Sequence, residues 1–261
     1  MKEMINELIQ YRHLLFMLTW RDIKIRYKQS VMGFLWAIFM PMMIVAAGIL
    51  VKKAFSILSG NPMNLSQIAS VSVKALPWAF FVGSIRFATN SLIGNMNLVT
   101  KIYFPREVFP LSSVLASLFD FTVASSVLII ILTIARIGVS IHLLWLPVLL
   151  ILLILITAGL GMILACANLF FRDVKYIVEV ILTFGIFFTP VFYEAEMFGK
   201  WAPVILLNPI GAILEAINAV VVLHHAPNMY WLGYSALWAV FGFLLAWNIF
   251  HRAEFAFAEN I

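Results

Sequence analysis

The chain has 261 residues, 64% of them hydrophobic and only 11% charged, with a mean hydropathy of +1.03. That is too little charge to cover a soluble globule, which excludes an ordinary soluble enzyme or binding module and implies an integral membrane protein. The net charge of +5 does not point to nucleic acid, because the cations stand beside apolar runs and form no isolated basic face, and the single cysteine, Cys166, rules out an intrachain disulfide.

The first thirty residues carry Glu3 and Glu7 and lack a clean apolar core with a small-residue cleavage site, so they do not read as a removable signal peptide. Ile5, Leu8, Leu15, Ile23 and Tyr27 fall near one helical face. Glu3, Glu7, Gln10, Arg21, Lys24 and Lys28 fall opposite, with Arg12 interrupting the apolar stripe. The spacing predicts an amphipathic interface helix over residues 1–30. Its cationic end runs directly into an apolar stretch, "WRDIKIRYKQSVMGFLWAIFMP", Trp20 to Pro41. Residues Val31 to Val51 are uncharged, enough at about 1.5 Å per residue to cross a hydrocarbon core of about 30 Å.

From there the chain reads as a single transmembrane domain over 31–261, all-α, with six spans at about 31–55, 76–99, 108–134, 143–171, 176–193 and 229–250. Arg86 interrupts the second span, Asp120 the third, and Glu179 stands near one end of the fifth. Residues 201–223 are apolar but broken by Pro203, Asn208, Pro209 and Gly211 and carry Glu215, which favours a pair of re-entrant half-helices over a seventh span. Lys and Arg are in excess on the side that holds the N-terminal segment, Lys101, Arg106, Arg172, Lys175 and Arg252. That bias places both termini in the cytoplasm.

No G-x-x-x-x-G-K-[ST] occurs, so the chain has no phosphate cradle and needs an external motor. His224 and His225 are adjacent and diverge on a helix, with no acid or cysteine at ligand spacing; no metal site and no catalytic residue is expected.

"NLVTKIYFPREVFPLSSV" puts Pro105 at a helix start with Glu107 complementing the helix dipole, so a short cytoplasmic helix is expected near Phe104. A set of short motifs then runs in order along nearly the whole chain: Arg21-Asp22 with Arg26-Tyr27, Gly33-Phe34-Leu35-Trp36, Phe104-Pro105-Arg106-Glu107, Arg172-Asp173, Thr189-Pro190 and Asn208-Pro209. Together they resemble the transmembrane subunit of ABC transporters that export O-antigen, capsule and teichoic-acid polysaccharides, with Thr189 where that family usually has Ser. The resemblance implies a homodimeric channel in the cell inner membrane with six helices per chain, an N-terminal amphipathic helix and re-entrant helices before the last span. It implies two copies of a separate ATP-binding subunit that uses ATP and Mg, while this chain binds no cofactor. The contact with that subunit is assigned to Arg21, Asp22, Lys24, Phe104, Pro105, Arg106 and Glu107, joined by Arg172 and Asp173.

The implied cargo is a lipid-linked polysaccharide. Arg26 and Lys28 are candidates to meet its pyrophosphate, or else to anchor the chain at the membrane surface. Trp36, Phe39, Phe184, Phe187, Phe188, Phe192 and Tyr193 are candidates to stack on sugar faces along the channel, or else pack between helices and against lipid. Arg86 and Asp120 are expected to pair across antiparallel helices at one depth. A secondary transporter or a membrane scaffold remain as alternative classes; the two halves show no convincing internal repeat to support the first, and the second needs no proline-broken segment before the last helix.

Overall fold

The computed structural model describes residues 2–28, 32–59, 64–101 and 104–257, and among them the chain is helical throughout, with no strand. The start of the first span at Val31, the end of the cationic stretch at residues 29–30, and Ile102 and Tyr103 of the loop before the third span lie outside the described residues, as do the side chains of Glu3, Ile5 and Phe34. Eleven α-helices are described: α1 (Lys2–Gln10), α2 (Arg12–Tyr27), α3 (Trp36–Ser59), α4 (Leu65–Gly94), α5 (Met96–Lys101), α6 (Val108–Ile134), α7 (Leu146–Phe170), α8 (Val174–Phe188), α9 (Ala202–Leu206), α10 (Pro209–Val221) and α11 (Met229–Phe257). Five stretches are long and apolar enough to cross a membrane: Trp36–Ala54, Leu65–Gly94, Val108–Ile134, Ile141–Phe170 and Met229–Glu254.

The third expected span coincides with α6. The second does not: α4 begins at Leu65, because Lys74, which marked the edge of the uncharged run, is fully buried and partnered inside the bundle. The fifth span shrinks to α8, 15 residues and about 22 Å. It stops at Thr189 because Pro190 cannot continue a helix, and the Thr189 hydroxyl turns back to the Gly185 carbonyl at 2.9 Å. Residues 201–223 form two short helices, α9 and α10, rather than one long one. The break at Asn208 is capped by its own side chain, which accepts from the Ile210 N–H at 3.1 Å. The third span's helix starts at Val108, so no separate helix opens at Phe104.

The bundle is built around α4, which packs on α6 and α7, while α7 packs on α11. Close approach rests on glycines, as is usual where lipid supplies no hydrophobic drive between helices. A Cβ on Gly161 of α7 would stand 2.9 Å from the Ala88 Cβ of α4, and one on Gly159 would stand 3.1 Å from the Phe243 Cα of α11. Gly161→Leu should therefore force α4 and α7 apart and cost about 1–3 kcal/mol, read as a lower midpoint of thermal unfolding in detergent. An unchanged midpoint would show that this crossing has slack.

Instead of one amphipathic helix, the N-terminal segment forms two helices that meet at Tyr11. α2 runs alongside the first half of α6. Its inward face is Leu14, Leu15, Leu18, Asp22, Ile23, Arg26 and Tyr27, at helical spacing, while Phe16, Met17, Trp20 and Ile25 point outward with Lys24. The face turned to the bundle therefore carries the ionic groups as well as apolar ones. α2 packs through a second apolar cluster in which Leu18 joins Leu92, Phe104, Val108, Phe109 and Phe250. The side of the bundle holding this cluster is called the N-terminal face below.

Candidate functional site

Polar residues are costly in a chain this apolar, so each buried charge needs a partner, and those partners define the site. Near the N-terminal face, the Arg26 guanidinium donates to Asp120 Oδ2 at 2.6 Å, to Ser117 Oγ at 3.2 Å and to the Ser113 carbonyl at 3.4 Å. It also lies 3.8 Å over the Phe87 ring. Tyr27 donates its hydroxyl to Asp120 Oδ1. Burial, and then the Asp120 carboxylate, push the Tyr27 phenol pKa up, so the phenol stays a proton donor to that carboxylate. One turn earlier, the Ser112 hydroxyl donates to Asp22 at 3.2 Å, and Arg21 pairs with Asp22 at 2.8 Å. These bonds lay α2 onto α6. They also enclose a cavity of about 620 Å³ between α2, α3, α4 and α6, lined by Arg26, Trp36, Met40, Arg86, Phe87 and Asp120 among others.

This network bears on two expectations. Arg26 turns Nη1 and Nη2 to Asp120, Ser117 and Ser113 inside the chain, while Lys28 is exposed. Arg86 and Asp120 do not pair. Arg86 instead makes a bidentate pair with Glu179, Nε to Oε1 at 2.6 Å and Nη2 to Oε2 at 2.8 Å. The reason is depth. Because α4 ends at Gly94 and not at 99, Arg86 stands eight residues from that end, roughly 12 Å from the N-terminal face. Glu179 lies five residues into α8, roughly 8 Å deep, and Asp120 twelve residues into α6, roughly 18 Å.

The Arg86–Glu179 pair is 45% and 47% exposed. It adjoins an outward face of α8 made of Ile177, Val180, Ile181, Phe184, Phe187 and Phe188. Of the seven expected channel aromatics, Trp36, Phe39, Phe184, Phe187 and Phe188 are exposed, with Trp36 edge-on to Phe39 at 5.6 Å. Phe192 and Tyr193 are not on that surface. Phe192 fills the space beside Gly48 of α3, and Tyr193 donates to the Phe187 carbonyl at 3.1 Å and packs on Phe198.

At the opposite face, sequence reasoning missed a second set of pairs. The fully buried Lys74 donates to Glu215 at 3.3 Å and to the Tyr193 carbonyl, and Glu215 also accepts the Ala195 N–H at 3.0 Å. Lys52 meets Glu194 at 3.2 Å. Asn208 donates to Thr189 Oγ1 at 3.0 Å, and a Cβ on Gly211 would stand 2.8 Å from Pro190, so the Thr-Pro and Asn-Pro motifs seat on one another. The available signal was each lysine inside an otherwise apolar run together with the acid in the broken segment.

Of the residues assigned to the partner contact, Phe104, Pro105 and Glu107 are buried within the chain. Arg106 is engaged by Glu254, its Nη1 donating to the Glu254 carbonyl at 3.0 Å and its main-chain N–H to Oε1 at 3.3 Å. These four position the segment before α6. Lys24, Arg172 and Asp173 are exposed, and Arg21 and Asp22 are half-buried.

Comparison with known proteins fits this arrangement. A family model described as ABC-2 type transporter matches residues 13–222, from the start of α2 to the end of α10. The chain is similar to the O-antigen export system permease protein RfbA of Myxococcus xanthus, 29% identical over 264 residues covering all of both chains. It is also similar to the proteins of that name from Klebsiella pneumoniae, 28% identical over 253 residues and 26% over 257, each covering 94% of both chains. The matched range takes in both ends of the bundle, the Arg26–Asp120 pair at one face and the Thr189–Asn208 contact at the other, and the chain belongs to the ABC-2 type transporter family.

Proposed function

We propose that this chain is the channel-forming subunit through which a lipid-linked polysaccharide crosses the inner membrane. It works as a homodimer with two copies of an ATP-binding subunit that hydrolyse ATP with Mg; the chain is not itself an enzyme. α8 is the sixth span, α9 and α10 are the re-entrant pair, and both termini are cytoplasmic, so the N-terminal face is the side on which the ATP-binding subunits dock. Lys24, Arg172 and Asp173 meet them there. Support comes from the family and from the names of the full-length relatives.

The observation that carries the channel reading is the half-exposed Arg86–Glu179 pair beside the aromatic face of α8. A pair of charges within a spanning region cannot face lipid at low cost, so this surface borders water. Aromatic rings there offer sugar C–H faces a sliding contact that fixes no sugar sequence. The test is cysteine accessibility in the assembled transporter, in a Cys166→Ala background. A small water-soluble maleimide should label Phe184→Cys and Phe187→Cys during ATP turnover and leave Ile130→Cys, on the exposed side of α6, unlabelled. Equal labelling at all three, or none at the α8 positions, would remove α8 from the conduit.

A further inference from the structure

We propose that Glu107, His251 and Glu254 bind one divalent transition-metal ion of the Zn²⁺ class, which clamps the segment opening α6 to the end of α11. His251 Nδ1 lies 3.2 Å from Glu107 Oε1 and 3.7 Å from Glu254 Oε2. The three ligand atoms all lie within 4.8 Å of one another. Zinc holds nitrogen and oxygen ligands at about 2.0–2.2 Å, so two ligands of a tetrahedral ion stand roughly 3.3–3.6 Å apart, close to both measured separations. One imidazole and two carboxylates form a donor set that suits zinc, cobalt, manganese and ferrous iron.

The Glu107 carboxylate supplies a second, independent observation. The residue is 2% exposed, its Oε2 has no hydrogen-bond partner among the described residues, and although Glu107 occupies the N-cap of α6 its side chain makes no capping bond among them. An acid at a helix start would ordinarily turn to the free N–H groups; this one turns toward α11 instead. A buried carboxylate oxygen without a donor is costly, and a cation held by this carboxylate, whose Oε1 faces His251, would offset the cost. His251 and Glu254 are three residues apart on α11 and so share a helical face, the spacing by which helix bundles present an acid and a histidine to one metal. Among the described residues Arg106 binds the main-chain carbonyl of Glu254 and its Oε1, while Oε2 is turned to His251. A histidine ligates through a neutral imidazole nitrogen, and two carboxylates supply the negative charge that a divalent ion requires.

The ion would fasten the last helix to the loop that precedes α6, two elements separated by more than 140 residues of chain. The experiment uses the full chain, purified in detergent without a polyhistidine tag, stripped with chelator and titrated with Zn²⁺ and with Co²⁺. Wild type should retain one zinc per chain after desalting, show a visible cobalt ligand-field band, and melt several degrees higher with zinc than without. Glu254→Gln, which keeps shape and packing, should bind at least tenfold more weakly. His251→Cys should restore zinc through a thiolate, whereas His251→Phe should not. A wild-type chain with no cobalt band and no zinc-dependent melting shift would overturn the proposal and leave an ion-paired cluster. Equal zinc retention by wild type and Glu254→Gln would overturn it as well, since the metal would then lie elsewhere.

Discussion

Asp120→Leu is expected to destabilise the chain by about 3–5 kcal/mol, the loss seen when one partner of a buried ion pair is removed and the other stranded. Arg26 and Asp120 are 12% and 25% exposed, so each charge is largely shielded from solvent and depends on its partner. Without Asp120 the Arg26 guanidinium keeps the Ser117 hydroxyl, the Ser113 carbonyl and the Phe87 ring but no opposite charge among the described residues, and Tyr27 loses Asp120 as acceptor. Arg26→Met alone should cost a similar amount by leaving the Asp120 carboxylate with the Tyr27 hydroxyl. The double variant Arg26→Met/Asp120→Leu should recover much of the loss, because two apolar side chains of similar volume can pack where the pair stood. Denaturant or thermal unfolding of all four proteins in one detergent measures the cycle. If the two single losses simply add, the residues act independently and α2 is held on α6 by its apolar face alone.

The architecture was largely legible because hydrocarbon imposes a length on every uncharged run. α6 and α7 stand where the absence of charge put them. Where the reading failed, it treated a charge as a boundary. Lys74 ended the expected second span, yet burial with Glu215 and the Tyr193 carbonyl lets α4 continue nine residues further toward its start. At its other end α4 stops at Gly94 and not at 99, which sets Arg86 shallower than Asp120, and its partner is Glu179. The partners themselves could not be read from spacing: Arg26 and Asp120 lie 94 residues apart, Lys74 and Glu215 141, and Glu107 and His251 144. The family resemblance marked Arg26, Glu107, Thr189 and Asn208 but not what they touch. The structure gives each of the four a partner inside the chain, Asp120 for Arg26, His251 for Glu107, and Thr189 and Asn208 one another, with Phe104, Pro105 and Glu107 buried.

Removing the partner of Arg86 should affect transport far more than stability. If the Arg86–Glu179 pair borders a water-filled conduit, Glu179→Leu should lower stability by no more than about 1 kcal/mol, the usual limit for a solvated ion pair. If the pair faced lipid, the stranded arginine would cost roughly 2.5–3.5 kcal/mol on insertion scales, and the two cases separate clearly in an unfolding titration. Export should nevertheless fall at least tenfold. An unpaired guanidinium in the conduit attracts a passing pyrophosphate, and at about 4 Å and an effective dielectric near 20 two unit charges interact by about 4 kcal/mol, enough to hold cargo that must keep moving. The reversed pair Arg86→Glu/Glu179→Arg restores charge balance with the same bidentate chemistry and should recover most of the export, measured as polysaccharide reaching the cell surface in a strain lacking the native chain. A reversed pair that remains inactive while both single variants export normally would show that the pair neither borders the path of the cargo nor spares it a trapping charge.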